Sequence, residues 1–503
     1  MAKVGLVFPC TNPSSREAEI SKWGYKGVPI GLLSMASYLE SVGHQVRVID
    51  TMMYPKDRVE ESTIELAAWA DCVGFSVMTT QVSHALSLSE LIKKAVPGIT
   101  VIWGGIHSTL FPEQTETDPA VDFVVYGEGE EPMRDLIKYL RGEKIKLRDI
   151  PNLVYREGAT VVKTEPLNRV DVKRLPGLNY HLLDIEKYID REVLGQKVRG
   201  LDVLTSRGCP YRCSFCANTI LLGQKWRPRD IDTVLGEIDN LVETHDLNFL
   251  WIMDDYFFGD RKRPQALADH ILRKGYQLSW EANIRANDLS SNRLSDEYLR
   301  TMRRSGLIGL KIGAESGSDE ILKLLKKDIN SDQVVRAVKR CVSHDIVPYL
   351  YFMNGIPGED IGEIKKTSLF MYNLKTAHPQ VVLNGPGIFR PYPGGELYYR
   401  CLDAGYSDPE TLREWAERDL GANYLPTGSL PWVPEPKFVD DLHWYLYKAC
   451  REDRILKYRF AWPRMALGRM AQWRFQHNFW RFRFESRIVG MARYLRNIWQ
   501  GAR

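Results

Sequence analysis

Two consecutive series of short Val- and Ile-rich runs, each run followed by a helix-length segment, constrain this chain more than any other feature. In the first series the runs lie at 3–8, 45–50, 72–77, 99–104 and 122–126, with helix-period segments near 30–42, 60–70, 83–95 and 130–141. Apolar runs this short, separated by helices, predict a parallel sheet covered on both faces over residues 1–141. Ligands of such sheets sit at the carboxyl ends of the strands, where glycine lets backbone approach closely. Here those loops read Gly104-Gly105-Ile106-His107-Ser108 and Tyr126-Gly127-Glu128-Gly129-Glu130. Tight turns alone account for such glycines equally well.

Residues 142–200 break the alternation. The run Val154-Tyr155-Arg156-Glu157-Gly158-Ala159-Thr160-Val161-Val162 reads as a hairpin turning at Gly158, with Pro166 and Pro176 behind it. We read 142–200 as an interdomain linker with that hairpin as its own structure. The second series fills 201–400, with candidate strands at 202–206, 249–253, 278–283, 308–313, 347–353 and 381–383. Six strand–helix repeats without antiparallel hairpins predict a partial parallel barrel with its functional groups after the strand ends. Residues 401–503 read as irregular and then helical. A chain of 503 residues exceeds what one core supports. Its amino terminus reads as a first strand and not a signal peptide, and no run reaches the ~18–20 apolar residues of a spanning helix. The expected location is cytoplasmic.

The chemistry concentrates in Ser206-Arg207-Gly208-Cys209-Pro210-Tyr211-Arg212-Cys213-Ser214-Phe215-Cys216, directly after a candidate strand. Eight cysteines in the whole chain are too few for a disulfide scaffold. Three thiolates spaced Cys-x3-Cys-x2-Cys can hold three corners of a cubane cluster and leave one iron open. A structural zinc site wants a fourth ligand nearby, yet the next candidate, His245, lies far along the chain. Ferredoxin spacings supply four cysteines.

This pattern, with Phe215 at the aromatic position, resembles that of the radical S-adenosylmethionine (SAM) superfamily. The resemblance implies a [4Fe-4S] cluster on Cys209, Cys213 and Cys216, whose open iron is chelated by SAM. One-electron reduction by an external flavodoxin- or ferredoxin-type donor then yields a 5′-deoxyadenosyl radical. Ile312-Gly313-Ala314-Glu315-Ser316-Gly317 resembles the family's ribose-binding segment, with Glu315 and Ser316 toward hydroxyls. Gly355-Ile356-Pro357-Gly358-Glu359 resembles the glycine motif against adenine, with Gly355 and Pro357 in contact. Asp254, Asp255, Glu281 and Arg285 stand where the family meets the methionine ammonium and carboxylate, and Arg285 suits the carboxylate on charge grounds.

A doubly wound, Rossmann-like domain ahead of a partial (β/α)6 barrel resembles the cobalamin-binding subclass of that superfamily. The likeness implies corrinoid contacts from Ser76, Thr79, Gly104, Gly105, His107, Tyr126, Gly127 and Glu128. Corrinoid domains of the familiar kind carry Asp-x-His-x-x-Gly, whose His ligates cobalt. The loop here, Asp50-Thr51-Met52-Met53-Tyr54-Pro55, has no histidine, so the expectation is cobalamin without protein imidazole on cobalt. The related methylthiotransferases need three more cysteines in the first domain, which has only Cys10 and Cys72.

Between Arg454 and Arg503 stand twelve Lys or Arg and one acidic residue, Glu485, interleaved with Trp462, Trp473, Phe475, Phe479, Trp480, Phe482, Phe484, Tyr494 and Trp499. Three readings of 454–503 stay open: an interfacial helix on the anionic inner face of a membrane, a nucleic-acid surface, which is the least favoured, and a helix packed on the barrel. The expected reaction is methylation of an unactivated carbon, or of phosphorus, on a natural-product, lipid or tetrapyrrole-like small molecule. The alternatives are radical cyclisation or rearrangement with the same cofactors, and a corrinoid- or lipid-binding protein with a structural cluster.

Overall fold

The computed structural model describes residues 1–11, 27–418, 427–450 and 462–485, apart from single positions at 168, 292, 482 and 484. The first series folds into a sheet with strands β1 (Lys3–Phe8), β2 (Gln45–Asp50), β3 (Cys72–Ser76), β4 (Thr100–Gly104), β5 (Phe123–Val125), β6 (Leu153–Glu157) and β7 (Thr160–Lys163). Their spatial order is β2-β1-β3-β4-β5-β6-β7, and β1 to β5 are parallel. The direction of winding reverses between β1 and β3, which opens a crevice at their carboxyl ends. One apolar layer, with Val73, Phe75, Val101 and Trp103, lies on one face. A second, with Leu6, Ile102, Met133 and Leu136, lies on the other.

The hairpin at 154–162 forms, but it is no part of a linker. Strand β6 pairs antiparallel with β5 and β7 with β6, so the hairpin finishes the first sheet. Tyr155, buried in that sheet, shows why: a strand with an apolar inward face binds to whatever edge is open.

The barrel sheet runs β16-β15-β14-β13-β12-β9-β8, from β8 (Asp190–Val193), β9 (Gln196–Val203), β12 (Phe249–Ile252), β13 (Ser279–Ile284), β14 (Leu307–Glu315), β15 (Val347–Asn354) and β16 (Val382–Ile388). The short pair β10 (Ser206–Arg207) and β11 (Arg227–Pro228) lies outside it. Six strands are parallel, as expected for a partial barrel. The expectation of no antiparallel hairpin fails, because β8 pairs antiparallel with β9 across Leu194-Gly195, both at positive φ. Such a two-residue turn matches the right-handed twist of the strands it joins. The polar start of β9, Gln196-Lys197, conceals a strand that begins inside the expected linker.

The two domains are fused. Val28 and Leu33 of the first belong to the same apolar core as Leu178, Tyr188, Leu201 and the helices around the barrel. Tyr188 donates to Asp50 at 2.8 Å, and the Val28 N–H donates to Asp202 at 3.1 Å. Asp202 also meets Arg191 through two 3.0 Å contacts, with both side chains almost fully buried.

Past the barrel, the helix Leu412–Glu417 returns to the first domain. Trp415 donates to Gln114 at 2.9 Å, and Arg413 pairs with Glu90 at 2.8 Å and Asp118 at 3.0 Å. The helices Pro436–Cys450 and Trp462–His477 then pack on the barrel side. Phe475 stacks on Tyr372 at 5.0 Å, and Arg474 pairs with Glu485 at 2.7 Å, both residues buried. The described part of the basic carboxyl terminus therefore follows the packed-helix reading, while 454–461 and 486–503, with Tyr494 and Trp499, lie outside the described residues. No described helix is long and apolar enough to cross a membrane.

Removing one member of a buried ion pair leaves an unpaired charge, which costs about 3–5 kcal/mol. Asp202→Ala should therefore lower the unfolding free energy, read from the midpoint and slope of a urea titration, by about 3–5 kcal/mol. A midpoint like the wild type's would mean the pair contributes little.

Candidate active site between the two sheets

The carboxyl ends of the first sheet open into a cavity of about 510 Å³. Its first-domain walls include Phe8, Ser76, Gly104 and Val125, the last residues of β1, β3, β4 and β5. The opposite wall comes from the barrel: Leu204, Arg207, Asn218, Leu221 and Leu222. The crevice of one domain is thus closed by residues of the other that stand just before and just after its cysteine loop.

A buried lattice of charge fixes that apposition. Arg207, two residues before Cys209, meets Glu128 at 3.1 Å and Glu130 at 2.5 Å, and donates to Ser34 at 2.7 Å. Arg227 takes both oxygens of Glu128 at 2.8 Å, and the Val170 N–H donates to Glu128 at 3.1 Å. Burial alone would raise the Glu128 carboxyl; Arg227 and Arg207 outweigh it and hold the group below its ordinary value. Glu128 reaches the cavity wall, but its carboxylate is committed to tying the domains together.

The cysteine loop leaves β10 through Gly208, at φ +82°, where a Cβ would lie 2.3 Å from the Lys225 carbonyl oxygen. Cys213 is buried and Cys209 and Cys216 half-buried. Ser214 ties the loop to the barrel through a 2.9 Å bond to the Leu325 carbonyl. Burial raises the Cys209 thiol and pushes Cys216 up to about 11, and the nearby Cys213 adds to both. Thiols so disfavoured as anions need a cationic partner, which is what an iron cluster supplies. Among the described residues no three His, Cys, Asp or Glu side chains converge as around a single metal ion. The donor set fits a cluster on Cys209, Cys213 and Cys216.

The other expected SAM residues divide. Phe215 and the Gly355–Pro357 turn meet in one apolar patch through Ile356, Leu325 and Met353. Glu315 stands at φ +60° with its carboxylate 2.6 Å from Lys327, whose ammonium lies 5.6 Å from the Phe215 ring. Gly313 is needed there, since a Cβ would fall 2.3 Å from the Glu315 carboxylate. Asp255 is exposed beside the cysteines and accepts from the Gly208 N–H and the Asn218 side chain.

Asp254 does not reach this group. It is fully buried and accepts from the Thr205 N–H and hydroxyl at 2.6 Å and from the Ser206 hydroxyl, so it anchors the strand end beneath the loop. Ser316 is equally committed, bonded to Thr367 at 2.8 Å. Glu281 lies two layers of side chains below Arg285, buried, with Lys311 at 3.6 Å and one carboxylate oxygen without a partner. Arg285 turns to the cysteine loop and not to open space, with 3.7 Å to the Cys213 sulfur. Lys327, Lys311 and Asn218 belong to no motif and Tyr211 stands inside the cysteine motif with no role assigned from sequence; the fold alone shows what each touches.

Of the expected corrinoid contacts, Ser76, Gly104, Gly105, Gly127 and Glu128 line the cavity. Gly105 also has a purely local reason, since its Cβ would meet the Val77 nitrogen at 2.6 Å. Tyr126 points away and donates to the Thr164 carbonyl at 2.6 Å. His107 is fully buried between Phe111 and Trp415, at ring distances of 5.3 and 5.6 Å, with Thr79 3.4 Å from its Nδ1. His107 is thus packed inside the first domain, and the half-buried Thr79 and Tyr126 lie outside the cavity lining. Among the described residues no histidine lines the cavity. Glycine and apolar side chains form a floor that a flat macrocycle can cover, and this is the sense in which the residues fit it.

The B12 binding domain family matches residues 18–137, and the radical SAM superfamily matches residues 203–371. An uncharacterized methyltransferase of Pyrococcus horikoshii is 28% identical over 401 residues, covering 79% of this chain and 82% of its own. The anaerobic magnesium-protoporphyrin IX monomethyl ester cyclase of Rubrivivax gelatinosus is 28% identical over 408 residues, covering 79% of this chain and 70% of its own. Among solved structures, the cobalamin-dependent S-adenosylmethionine radical enzyme OxsB with aqua-cobalamin bound superposes with a TM-score of 0.69 at 17% identity, over 95% of this chain and 80% of that one.

Burial pushes His107 down to about 3, whereas in the unfolded chain it titrates near 6.5. Below about 6.5 the unfolded chain takes up a proton that the folded one refuses, so stability falls as pH drops from there toward 3. His107→Phe should flatten the fall in thermal midpoint between pH 6.5 and 4 and leave corrinoid retention unchanged. An acid limb as steep as the wild type's, or loss of bound corrinoid, would contradict the packing role.

Proposed function

This chain belongs to the radical SAM superfamily and carries a B12 binding domain ahead of the barrel, and on that premise we propose that it methylates an unactivated carbon, or phosphorus, of a small molecule. One observation carries the reading: the cavity at the first sheet's strand ends is walled on its other side by residues that flank the cysteine loop, Arg207 before it and Asn218 just after it. A methyl carrier and a radical source held there would face the same substrate.

When bound, the cluster and SAM supply a carbon-centred radical and the corrinoid supplies a methyl group. The chain's own residues do the rest. Cys209, Cys213 and Cys216 hold the cluster, and Gly208 lets their loop pass close against the Lys225 carbonyl. Glu128, Glu130, Arg207 and Arg227 keep the two walls in register. Leu6, Phe8, Met35, Ile102 and Met133 line the cavity with apolar surface and limit water around a reactive species. An external one-electron carrier of the flavodoxin or ferredoxin type feeds the cluster in this reading. The other five cysteines, Cys10, Cys72, Cys341, Cys401 and Cys450, lie outside the motif, and Cys401 packs in the apolar cluster that holds Phe215.

Radical cyclisation or rearrangement is the second reading, favoured by the likeness to the magnesium-protoporphyrin ester cyclase. A tetrapyrrole, lipid or other natural product suits either. Contact with an anionic membrane face would fall to the exposed Trp473 and Phe479 and to the stretch beyond residue 485.

Anaerobically reconstituted enzyme with SAM labelled in its methyl group, incubated with extracts that contain the substrate, should give one labelled product together with 5′-deoxyadenosine. Cys213→Ala should abolish both and lower bound iron. A product without label, formed with 5′-deoxyadenosine, would replace methylation by the second reading.

A further inference from the structure

Arg285 ends β13 with its guanidinium buried and fully directed at protein. One Nη donates to the Cys213 sulfur at 3.7 Å and the other to the Lys327 carbonyl oxygen. The guanidinium carbon lies 3.6 Å from the centre of the Tyr211 ring, and Tyr211 sits in the same loop between Cys209 and Cys213. Tyr211 is braced in turn. It rests edge-on against Tyr256 at 5.2 Å, and its hydroxyl is 3.4 Å from the Tyr256 oxygen. Tyr256 donates to Asp288 at 2.8 Å and accepts from Arg293 at 2.7 Å. The cation is thus clamped between an aromatic face and a cluster ligand.

Reduction adds one electron to a cluster whose thiolates already carry negative charge. A fixed cation with an N–H···S bond stabilises the reduced form more than the oxidised form, and burial strengthens the effect. We propose that Arg285 is a positioning residue that raises the reduction potential of the cluster through Cys213, with Tyr211 as its platform, and that it is not the clamp for the carboxylate of SAM. The step it assists moves one electron from an external carrier protein to the cluster and makes or breaks no bond. The proposal rests on ligation of the cluster by Cys209, Cys213 and Cys216.

The test is a redox titration of the reconstituted full chain followed by electron paramagnetic resonance, without SAM. At the potential where half the wild-type cluster is reduced, Arg285→Met should show a reduced-to-oxidised ratio about tenfold lower, equivalent to about 59 mV for one electron. Tyr211→Phe keeps the ring and should match the wild type. Tyr211→Leu should shift the ratio in the same direction by less, and it carries the test if Arg285→Met fails to load four irons. SAM affinity measured by equilibrium dialysis should stay within about twofold of the wild type in Arg285→Met. An unshifted potential in Arg285→Met overturns the proposal, as does a tenfold loss of SAM affinity. A wild-type chain that loads no four-iron cluster counts against the ligand assignment itself, a separate failure.

Discussion

Glu128 and the two arginines that share it are the interaction on which the rest of this molecule depends. The carboxylate belongs to the loop after β5, Arg207 to the strand that launches the cysteine loop, and Arg227 to the strand paired with it. Three separate segments thus converge on one buried anion. Glu130 completes the charge balance, so the lattice carries two anions and two cations away from bulk water. Such a group is costly to break and only modestly favourable to make. It therefore favours one relative placement of the domains over others. The apolar core shared through Val28 and Leu33 supplies the cohesion that the lattice orients.

The alternation of strands and helices in the sequence was enough for both sheets, because parallel strands buried on two faces read as uninterrupted apolar runs. Reading failed at sheet edges. Strands β6, β7 and β8 each have a partly exposed face and polar residues, so nothing in their composition tells a free hairpin from one that extends a sheet. Only the open edges of β5 and β9 decide that, and edges are a property of the assembled fold. Gly195, preceded by Leu194 at positive φ, was a turn signal available in the sequence and not used.

The site shows the same division. The cysteines were legible because three identical residues at fixed spacing within one loop need no tertiary context. Asp254 and Ser316 turn their side chains to hydroxyls of their own chain, while His107 packs between Phe111 and Trp415 with its Nε2 unpartnered. A polar side chain at a strand end has two uses, lining a ligand site or closing a hydrogen-bond gap beneath it, and sequence position does not separate them. Lys327 makes the converse point. It reaches Glu315 only because the turn after the helix Asp319–Leu324 folds back under the cysteine loop, with Lys326 and Asp328 both at positive φ.

The short helix Leu412–Glu417 bears on how such enzymes can be rebuilt. Trp415 covers His107, and Arg413 bridges to Glu90 and Asp118, so the first domain's surface is finished by residues encoded almost three hundred positions later. The amino-terminal domain is consequently not a cassette. A chimera that exchanges residues 1–163 for those of another corrinoid protein, while keeping this barrel, would leave the returning helix against a surface it was not shaped for. The unit that can be transplanted is discontinuous in sequence, and it includes the strap.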